Sequence, residues 1–148
     1  MVIEAASESD VPEIVAMERA CYSDPWAASA FKGLHENPAV HFAVARNERR
    51  GSITGYVVAW FVGHEGEVAN LAVSQRERRR GVGQSLLDSV IATATDRGVE
   101  TLFLEVRESN QAARKLYASR DFEEVGRRKG YYRSPQEDAL ILRCTLKR

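Results

Sequence analysis

The chain contains 148 residues with 44% hydrophobic side chains, a length and composition that predict one globular domain covering residues 1–148. Its 21 Lys and Arg residues balance 21 Asp and Glu residues, so no net charge favours nucleic acid or a membrane surface, and neither is an expected partner. The N-terminus has no signal-peptide pattern and no apolar run reaches the ~20 residues of a membrane-spanning helix, so a cytoplasmic location is expected.

The first third of the chain shows a strand-like pattern and then a helical one. The apolar run Val2–Ala6 predicts a strand, and the spacing of apolar residues over Val11–Cys21 predicts an amphipathic helix. Asp10 suits the N-cap of that helix, with Glu13 completing a capping box. An Asp-Pro-Trp sequence ends the helix because proline cannot continue its hydrogen bonds, and a second short helix is predicted over Ala27–His35.

The rest of the chain alternates between strand-like runs and two helical stretches. From Gly81 an apolar stripe at helical spacing predicts a helix that stops at Gly98. A shorter helical pattern covers Asn110–Ser119. The runs with the composition of strands are His41–Arg46, Ile53–Val62, Gly66–Val73, Thr101–Val106, Glu123–Gly126 and Ala139–Leu146. The order β-α-α-β-β-β-α-β-α-β-β predicts an α/β (α+β) fold, with a central mixed sheet flanked by about four helices.

The segment between the strand ending at Val73 and the helix starting near Gly81 is basic and contains two glycines. The first turn of a helix has unpaired N–H groups and a partial positive charge, and glycine lets an anion approach the backbone. Arginines add charge-assisted donors, so the pattern predicts a phosphate site, with a solvated basic loop as the alternative. It is neither a Walker loop nor a Rossmann glycine motif. The residues expected in this site are Arg78, Arg79, Arg80, Gly81, Val82, Gly83 and Gln84.

A carboxylate stands inside the otherwise apolar run Leu102–Val106. Burying a carboxylate is costly unless it is paired or has a chemical role. Strand geometry places Glu105 on the face of Phe103, opposite the aliphatic residues of the run. Glu105 is therefore a candidate catalytic group, and an ion pair with Arg107 or Arg127 is the alternative.

The helical pattern that begins at Asn110 carries Tyr117 on its apolar side, two turns along. Asn110 suits an N-cap, and Tyr117 is either a functional phenol or a core residue whose hydroxyl finds a partner. Cys21 and Cys144 lie far apart without metal-binding spacing, so reduced thiols are expected. The three histidines show no metal motif either, and no metal is expected.

Together these segments resemble the Gcn5-related N-acetyltransferase superfamily. Its hallmark after the fourth strand, Gln/Arg-x-x-Gly-x-Gly/Ala, is matched by Arg78–Gly83, and the order of elements matches that fold across the whole chain. In that family the turn holds the pyrophosphate of coenzyme A. The resemblance therefore implies an acetyltransferase with acetyl-CoA as its co-substrate.

A narrower resemblance, to ribosomal-protein-alanine N-acetyltransferases of the RimI type, covers both halves of the chain. It rests on Leu104–Ala113, Arg127–Tyr132 and Glu137–Ala139, and on Asp24–Trp26 beside the acceptor site. Those enzymes acetylate the N-terminal alanine of a small-subunit ribosomal protein, so the resemblance implies such a protein N-terminus as substrate and partner. Asp121 departs from the pattern, in which glycine is usual, but Asp tolerates a left-handed conformation and the turn is expected to survive.

Within this resemblance individual residues can be given roles. We expect Glu105 to act as general base on the acceptor amine, and Tyr117, which the resemblance places beside the coenzyme sulfur, to protonate the departing thiolate. Asn110 is expected to hydrogen-bond the pantetheine arm or nearby backbone. The residues expected to polarise the thioester carbonyl through backbone N–H groups are Leu71, Ala72 and Val73. Those that line the acceptor path, on the resemblance alone, are Pro25, Trp26 and Tyr131.

Two other functions stay open from the sequence. One is a superfamily member that acts on a small amine such as a polyamine or an antibiotic, although the match at Arg127–Tyr132 and Glu137–Ala139 favours a peptide N-terminus. The other is a non-catalytic module that senses acetyl-CoA, which needs neither Glu105 nor Tyr117. Nucleic-acid binding through Arg76–Arg80 is disfavoured because the basic cluster is short.

Overall fold

The computed structural model describes residues 1–48 and 51–146, with a seven-stranded mixed sheet at the centre. The strands are β1 (Val2–Ala5), β2 (Val40–Arg46), β3 (Ile53–Val62), β4 (Glu65–Val73), β5 (Thr101–Arg107), β6 (Glu123–Tyr132) and β7 (Glu137–Thr145). The α-helices of the described chain are α1 (Val11–Cys21), α2 (Val82–Asp96) and α3 (Gln111–Ala118). The spatial order is β1-β2-β3-β4-β5-β7-β6, and every neighbouring pair is antiparallel except the parallel pair β4 and β5.

The predicted α/β class with a central mixed sheet is confirmed. One predicted helix has a different secondary structure. The segment Ala27–His35, predicted as one short helix, forms two 3-10 turns, Ala28–Phe31 and Leu34–Glu36. Gly33 lies between the turns with φ 78°, a left-handed conformation that interrupts a right-handed helix. The first turn still buries Phe31 completely.

The start of α1 is held differently from the predicted capping box. The N–H of Ser7 donates to Asp10 Oδ2 at 2.9 Å, and the Asp10 side chain makes no capping hydrogen bond to α1. Glu13 accepts a hydrogen bond from the backbone N–H of Ile53 at 2.8 Å. Asp10 occupies the N-cap position of α1 as predicted, but the capping box was wrong because both carboxylates have partners outside the first turn of α1.

The helices lie on both faces of the sheet. On one face the apolar stripe of α2 packs against β2, β3 and β4. The buried residues of this stripe are Val82, Leu86, Leu87, Val90 and Ala94. On the other face α1 buries Ile14 and Val15 in a cluster that includes Phe31 and Tyr56. Among the helices in the described ranges, none is long and apolar enough to cross a membrane.

Strands β4 and β5 are paired over only a short length. Their parallel register joins Glu65–Glu67 to Thr101–Phe103 and ends there. A β-bulge against β3 makes Ala69 an extra residue of β4, and bulges increase local twist. Residues 68–73 and 104–107 therefore border a wedge-shaped opening in the sheet, called the wedge below.

Strand β6 is longer than the sequence pattern predicts. We expected the strand to end at Gly126, whereas it continues to Tyr132 beside β7, and the prediction was wrong. Its second half, Arg127–Lys129, is exposed at the edge of the sheet, so no alternation of apolar and polar residues marks it. Two register shifts bend the strand, and Gly130 takes φ 60° in the second.

The turn after α3 forms with Asp121 in the place where glycine is usual. Asp121 has φ 66°, the left-handed conformation that the sequence predicts it to tolerate. The N–H of Phe122 donates to the carbonyl of Tyr117 at 3.1 Å, and the two rings meet edge to face with centroids 5.7 Å apart. The turn thereby fixes the end of α3 that carries Tyr117.

Candidate active site

The basic turn before α2 has the backbone shape of an anion site. Arg79 has φ 68° and Gly81 has φ 81°, so two left-handed residues curl the chain just before α2 begins at Val82. The N–H groups in the first turn of any α-helix lack partners within the helix, and the helix dipole adds positive charge at this end. This geometry suits a phosphate group.

The polar side chains of the turn are available to a ligand. Arg78 Nε reaches the carbonyl of Val73 at 3.4 Å, and Arg80 pairs with Glu77 at 3.5 Å, both at the surface. Exposed ion pairs of this kind contribute little and open readily. The exposed residues at this position are Arg78, Arg79, Arg80 and Gln84.

Two of the predicted residues in the turn can act only through the backbone. Val82 is buried in the core, so its side chain is not accessible to a coenzyme. A Cβ atom on Gly83 would lie 3.1 Å from a methyl group of Leu116. Glycine at this position lets the start of α2 approach α3 closely.

The end of β4 borders the wedge and is held by α1. The hydroxyl of Tyr22 donates to the carbonyl of Leu71, and the thiol of Cys21 contacts the carbonyl of Val73 at 3.6 Å. Ala72 is buried between them. The three residues expected to polarise a thioester thus lie on a strand end whose carbonyl groups are anchored from the α1 side.

Glu105 lies on β5 where this strand borders the wedge. Buried and partly exposed side chains alternate along the strand, as the sequence predicts. The buried residues of the opposite face are Leu102, Leu104 and Val106. The Glu105 side chain is 22% exposed, and its Oε1 lies 2.8 Å from Arg128 Nε on β6. The alternative partners expected from sequence, Arg107 and Arg127, pair with other carboxylates, so that prediction was wrong.

Two tyrosines at the end of β6 lie beside Glu105. Tyr131 is 53% exposed, and the guanidinium of Arg128 lies 5.6 Å from its ring centroid. The negative charge of Glu105 raises the pKa of Tyr131, with burial adding to the effect. Burial and then Glu105 raise the pKa of Tyr132 to about 12. Both phenols are therefore protonated at neutral pH and can donate hydrogen bonds.

Tyr117 lies on the buried side of α3, 7% exposed. Burial raises the pKa of its phenol, and nearby Tyr132 adds to the shift, so Tyr117 carries its proton at neutral pH. Asn110 Oδ1 accepts a hydrogen bond from the N–H of Ala113 at 3.1 Å, which confirms the predicted N-cap of α3. The cap uses the side-chain oxygen of Asn110, whereas its expected contact with the coenzyme stays a prediction.

Three phenols near the candidate site are buried or partly buried and have raised pKa values. Burial raises the pKa of Tyr22, and the charges of Tyr117 and Glu18 add to the shift. The pKa of Tyr132 also responds to the charge of Glu105. That Tyr117 and Glu105 act together on one substrate stays a prediction.

The predicted acceptor residues come from a loop and a hairpin. Trp26 is half-buried, and its ring stacks with Trp60 at 6.4 Å and tilts against Phe31 at 5.3 Å. Pro25 and Tyr131 are exposed. Trp26 thus anchors the loop through packing, while contact of Pro25 and Tyr131 with an acceptor stays a prediction.

Arg107 is a site residue that sequence reasoning missed. Its guanidinium contacts Asp24 at 3.1 Å, Glu137 at 3.0 Å and the carbonyl of Arg133 at 2.8 Å, and it lies 4.5 Å from the ring centroid of Tyr132. One side chain therefore joins the acceptor loop to the β6–β7 hairpin. The sequence signal that could have identified Arg107 was its position two residues after Glu105, which places both side chains on the same face of β5.

Within residues 1–48 and 51–146, no group of three or more His, Cys, Asp or Glu side chains is arranged to hold a metal ion. Cys21 is half-buried and Cys144 is buried, and both are free thiols, as predicted. Two concavities of about 350 and 430 Å³ lie elsewhere on the surface, and neither Glu105 nor Tyr117 lines them.

The chain combines a mixed sheet that opens between β4 and β5 with a basic turn at the start of α2, and comparison with known proteins assigns it to the acetyltransferases. The chain belongs to the Acetyltransferase (GNAT) family, whose sequence profile matches residues 11–122. The Gcn5-related resemblance seen in the sequence is thereby confirmed.

The chain is also similar to particular members of that family. The ribosomal protein bS18-alanine N-acetyltransferase of Escherichia coli (strain K12) is 32% identical over 142 residues, covering 95% of this chain and 94% of the relative. The crystal structure of the Escherichia coli ribosomal-protein-S18-alanine N-acetyltransferase matches with a TM-score of 0.89 at 30% identity, covering 99% and 94% of the two chains. These relatives confirm the narrower resemblance. Arabidopsis thaliana NAA60, solved in complex with acetyl-CoA, shares the fold at 18% identity with a TM-score of 0.84, covering 97% of each chain.

Proposed function

We propose that this chain transfers the acetyl group of acetyl-CoA to the N-terminal α-amino group of a protein, specifically the N-terminal alanine of a small-subunit ribosomal protein. The observation that supports the proposal is the wedge, with the basic turn following β4 on one side of it and Glu105 on β5 on the other. Tyr117 is assigned to the same site on the family resemblance. The similarity to bS18-alanine N-acetyltransferases over nearly the full length supports the choice of substrate.

The coenzyme would enter with its pyrophosphate at the basic turn. The exposed arginines Arg78, Arg79 and Arg80 supply charge, and the N–H groups from Gly81 to Gln84 supply hydrogen bonds to phosphate oxygens. The pantetheine arm would then follow β4 toward the acceptor end, past Asn110 at the start of α3. The thioester carbonyl would accept hydrogen bonds from backbone N–H groups at Leu71–Val73, which stabilises the oxyanion of the tetrahedral intermediate.

The chemical step is a direct attack of the amine on the thioester. The amine nitrogen bonds to the carbonyl carbon, Glu105 takes the proton that the nitrogen loses, and the C–S bond of the intermediate breaks. Tyr117 donates its phenolic proton to the departing thiolate, which leaves as the free thiol of coenzyme A. The phenol of Tyr117, whose pKa is raised by burial, holds its proton at neutral pH until the sulfur leaves.

The acceptor amine has to compete with Arg128 for Glu105. The guanidinium sits 2.8 Å from the carboxylate, is 56% exposed, and can swing into solvent at small cost. An N-terminal α-amino group has a pKa near 7.7–8.0, so a modest base is sufficient at neutral pH. Pro25 and Tyr131 would contact the first residues of the acceptor, with Trp26 supporting the loop.

The proposal is tested by following thiol release from acetyl-CoA in the presence of short peptides. Peptides that begin with free Ala, Ser or Met are compared with acetyl-blocked Ala, and with polyamines and aminoglycosides. We expect rapid release with the free Ala-first peptide and none after blocking. Release only with the small amines would overturn the substrate, and coenzyme binding without any release would indicate a sensing module.

A further inference from the structure

Glu18 on α1 is a buried carboxylate that the transfer steps do not use. Its side chain is 1% exposed. Oε1 accepts hydrogen bonds from the hydroxyl of Tyr56 and from Asn70 Nδ2, the latter at 2.7 Å. Oε2 accepts a hydrogen bond from the backbone N–H of Trp26 at 2.8 Å. Burying an ionisable group is costly without partners, and here three donors satisfy it.

The three donors belong to three different parts of the acceptor side. Tyr56 lies on β3, and Asn70 directly follows the bulge at Ala69 in β4. Trp26 belongs to the loop that carries Pro25 toward the acceptor. A single carboxylate therefore connects the acceptor loop to the strand that borders the wedge.

The last turn of α1 adds contacts to the same stretch of β4. The hydroxyl of Tyr22 donates to the carbonyl of Leu71, and Cys21 contacts the carbonyl of Val73. With the Glu18–Asn70 hydrogen bond, α1 thus contacts β4 at three points beyond the bulge. This stretch of β4 is where the thioester carbonyl is expected to bind.

We propose that Glu18 is a positioning residue of the acceptor site, which holds the Trp26 backbone in a fixed place relative to the bulged end of β4. This inference rests on the proposed function, since it assigns a role within the same site. The Trp26 loop guides the amine and β4 guides the thioester, so Glu18 sets the distance between the reacting groups without touching either. Misplacement by about 1 Å costs on the order of 100-fold in rate, so a rigid connection here acts on catalysis.

The network is matched to a carboxylate. An ionised carboxylate has acceptors only, whereas an amide side chain has one acceptor atom and one NH₂ group. With glutamine in place of Glu18, the acceptor atom can stay with the N–H of Trp26 only if the Tyr56 hydroxyl and the Asn70 amide turn to accept from the NH₂ group. The substitution therefore forces the network to rearrange and replaces charge-assisted hydrogen bonds by weaker neutral ones, although the volume of the side chain hardly changes.

The experiment is a steady-state analysis of Glu18→Gln with an Ala-first peptide and acetyl-CoA. We expect kcat/KM for the peptide to fall on the order of 100-fold, with KM for the peptide about tenfold higher, because the reacting groups are misplaced. KM for acetyl-CoA should stay within about twofold of wild type, since the coenzyme is expected to be held mainly at the basic turn before α2. Glu13→Gln is the matched control, since it changes an exposed carboxylate of the same helix that binds the N–H of Ile53. We expect both KM values of the control to equal those of wild type.

Two further variants separate the hydrogen bonds from general stability. Asn70→Asp in the Glu18→Gln background exchanges acceptor and donor between α1 and β4, and should restore most of the affinity for the peptide. Tyr56→Phe removes one hydrogen-bond donor to Glu18 but keeps the aromatic ring, whose centroid lies 5.8 Å from that of Phe31. This variant provides a second test if Glu18→Gln does not fold. For Tyr56→Phe we expect KM for the peptide to rise about threefold, in keeping with the loss of one hydrogen bond.

The inference is overturned if KM for the peptide is unchanged in both single variants, or if both KM values rise together. Failure of the proposed function gives a different result, because wild type itself would then release no thiol with any peptide. A change in the fluorescence of Glu18→Gln is a further expected outcome, since the ring of Trp26 stacks with that of Trp60.

Discussion

Tyr117 and Glu105 lie in unlike surroundings. Tyr117 is buried, which raises the pKa of its phenol, whereas Glu105 is partly exposed and holds Arg128 at 2.8 Å. A protonated phenol can give a proton to a thiolate, and a carboxylate can take one from an amine. At the scale of single residues, the proposed acid is thus a buried phenol and the proposed base a partly exposed carboxylate.

Tyr117→Phe should lower kcat about 100-fold and leave the Kd for acetyl-CoA unchanged. The variant loses the phenolic proton but keeps the ring that packs against Phe122, so the fold and coenzyme site should persist. Stopped-time assays of thiol release and calorimetric titration with acetyl-CoA measure the two quantities. Unchanged turnover with intact coenzyme binding would remove Tyr117 as the acid.

Glu105→Gln should lower kcat/KM for the peptide about 100-fold at neutral pH, because an amide cannot take up a proton. Its acid limb should then follow the pKa of the peptide amine itself, near 7.7–8.0. A pH–rate profile of wild type and variant tests this. Glu108→Gln is the control, since Glu108 lies three residues along and pairs with Arg127 at 2.5 Å. Superimposable profiles of wild type and Glu105→Gln would exclude the base role.

At the scale of elements, α2 has a left-handed glycine at each end. Gly81 precedes the helix with φ 81°, and Gly98 follows it with φ 79°. The two positions impose the same backbone demand, but only Gly81 lies in the turn proposed to bind phosphate. Substitutions at these two glycines can therefore be compared to separate the effect of backbone strain on stability from the effect on coenzyme binding.

Gly81→Ala and Gly98→Ala should each destabilise the fold by roughly 1–2 kcal/mol, the cost of a Cβ in the left-handed region. Only Gly81→Ala should also weaken acetyl-CoA binding, because strain there distorts the N–H groups that face the pyrophosphate. Urea unfolding gives the first quantity and calorimetric titration the second. Equal coenzyme affinities in the two variants would contradict the assignment of the turn.

Local patterns were sufficient for most elements and for the glycine turn before α2. The stripe of α2 and the alternation around Glu105 depend on near neighbours in the chain, so both could be predicted. Partners that depend on the order of strands in the sheet could not be predicted. Glu105 on β5 contacts Arg128 on β6, and this requires the sheet order β5-β7-β6. Glu18 and Asn70 are 52 positions apart, and only the packing of α1 on β4 brings them together.

For the whole molecule, hydrogen-bonded and ion-paired carboxylates predict how stability depends on pH. Burial alone would raise the pKa of Asp10, but the Ser7 N–H and Arg46 outweigh it and leave the pKa lowered. The Arg107 side chain lowers the pKa of Glu137, and the Gly130 N–H lowers that of Asp138. The unfolded chain therefore binds more protons in mild acid, and stability falls as the pH falls through the lowered pKa values.

The urea midpoint should accordingly be constant near neutral pH and decrease between about pH 5 and pH 3. Asp10→Asn should have a lower midpoint at pH 7, because it removes the ionised partner of Arg46, which lies 2.5 Å away, and its midpoint should decrease less in acid. Asp96→Asn, at an exposed position on α2, is the control and should behave as wild type. A midpoint for Asp10→Asn that tracks wild type at every pH would contradict the account.

The short pairing of β4 and β5 divides the sheet into two halves joined by three residue pairs. A co-substrate that occupies the wedge binds both halves at once, and by mass action its concentration adds to the free energy of unfolding. We therefore expect the unliganded protein to open more often along this line than the protein saturated with acetyl-CoA, and to be cleaved faster by a protease in solution.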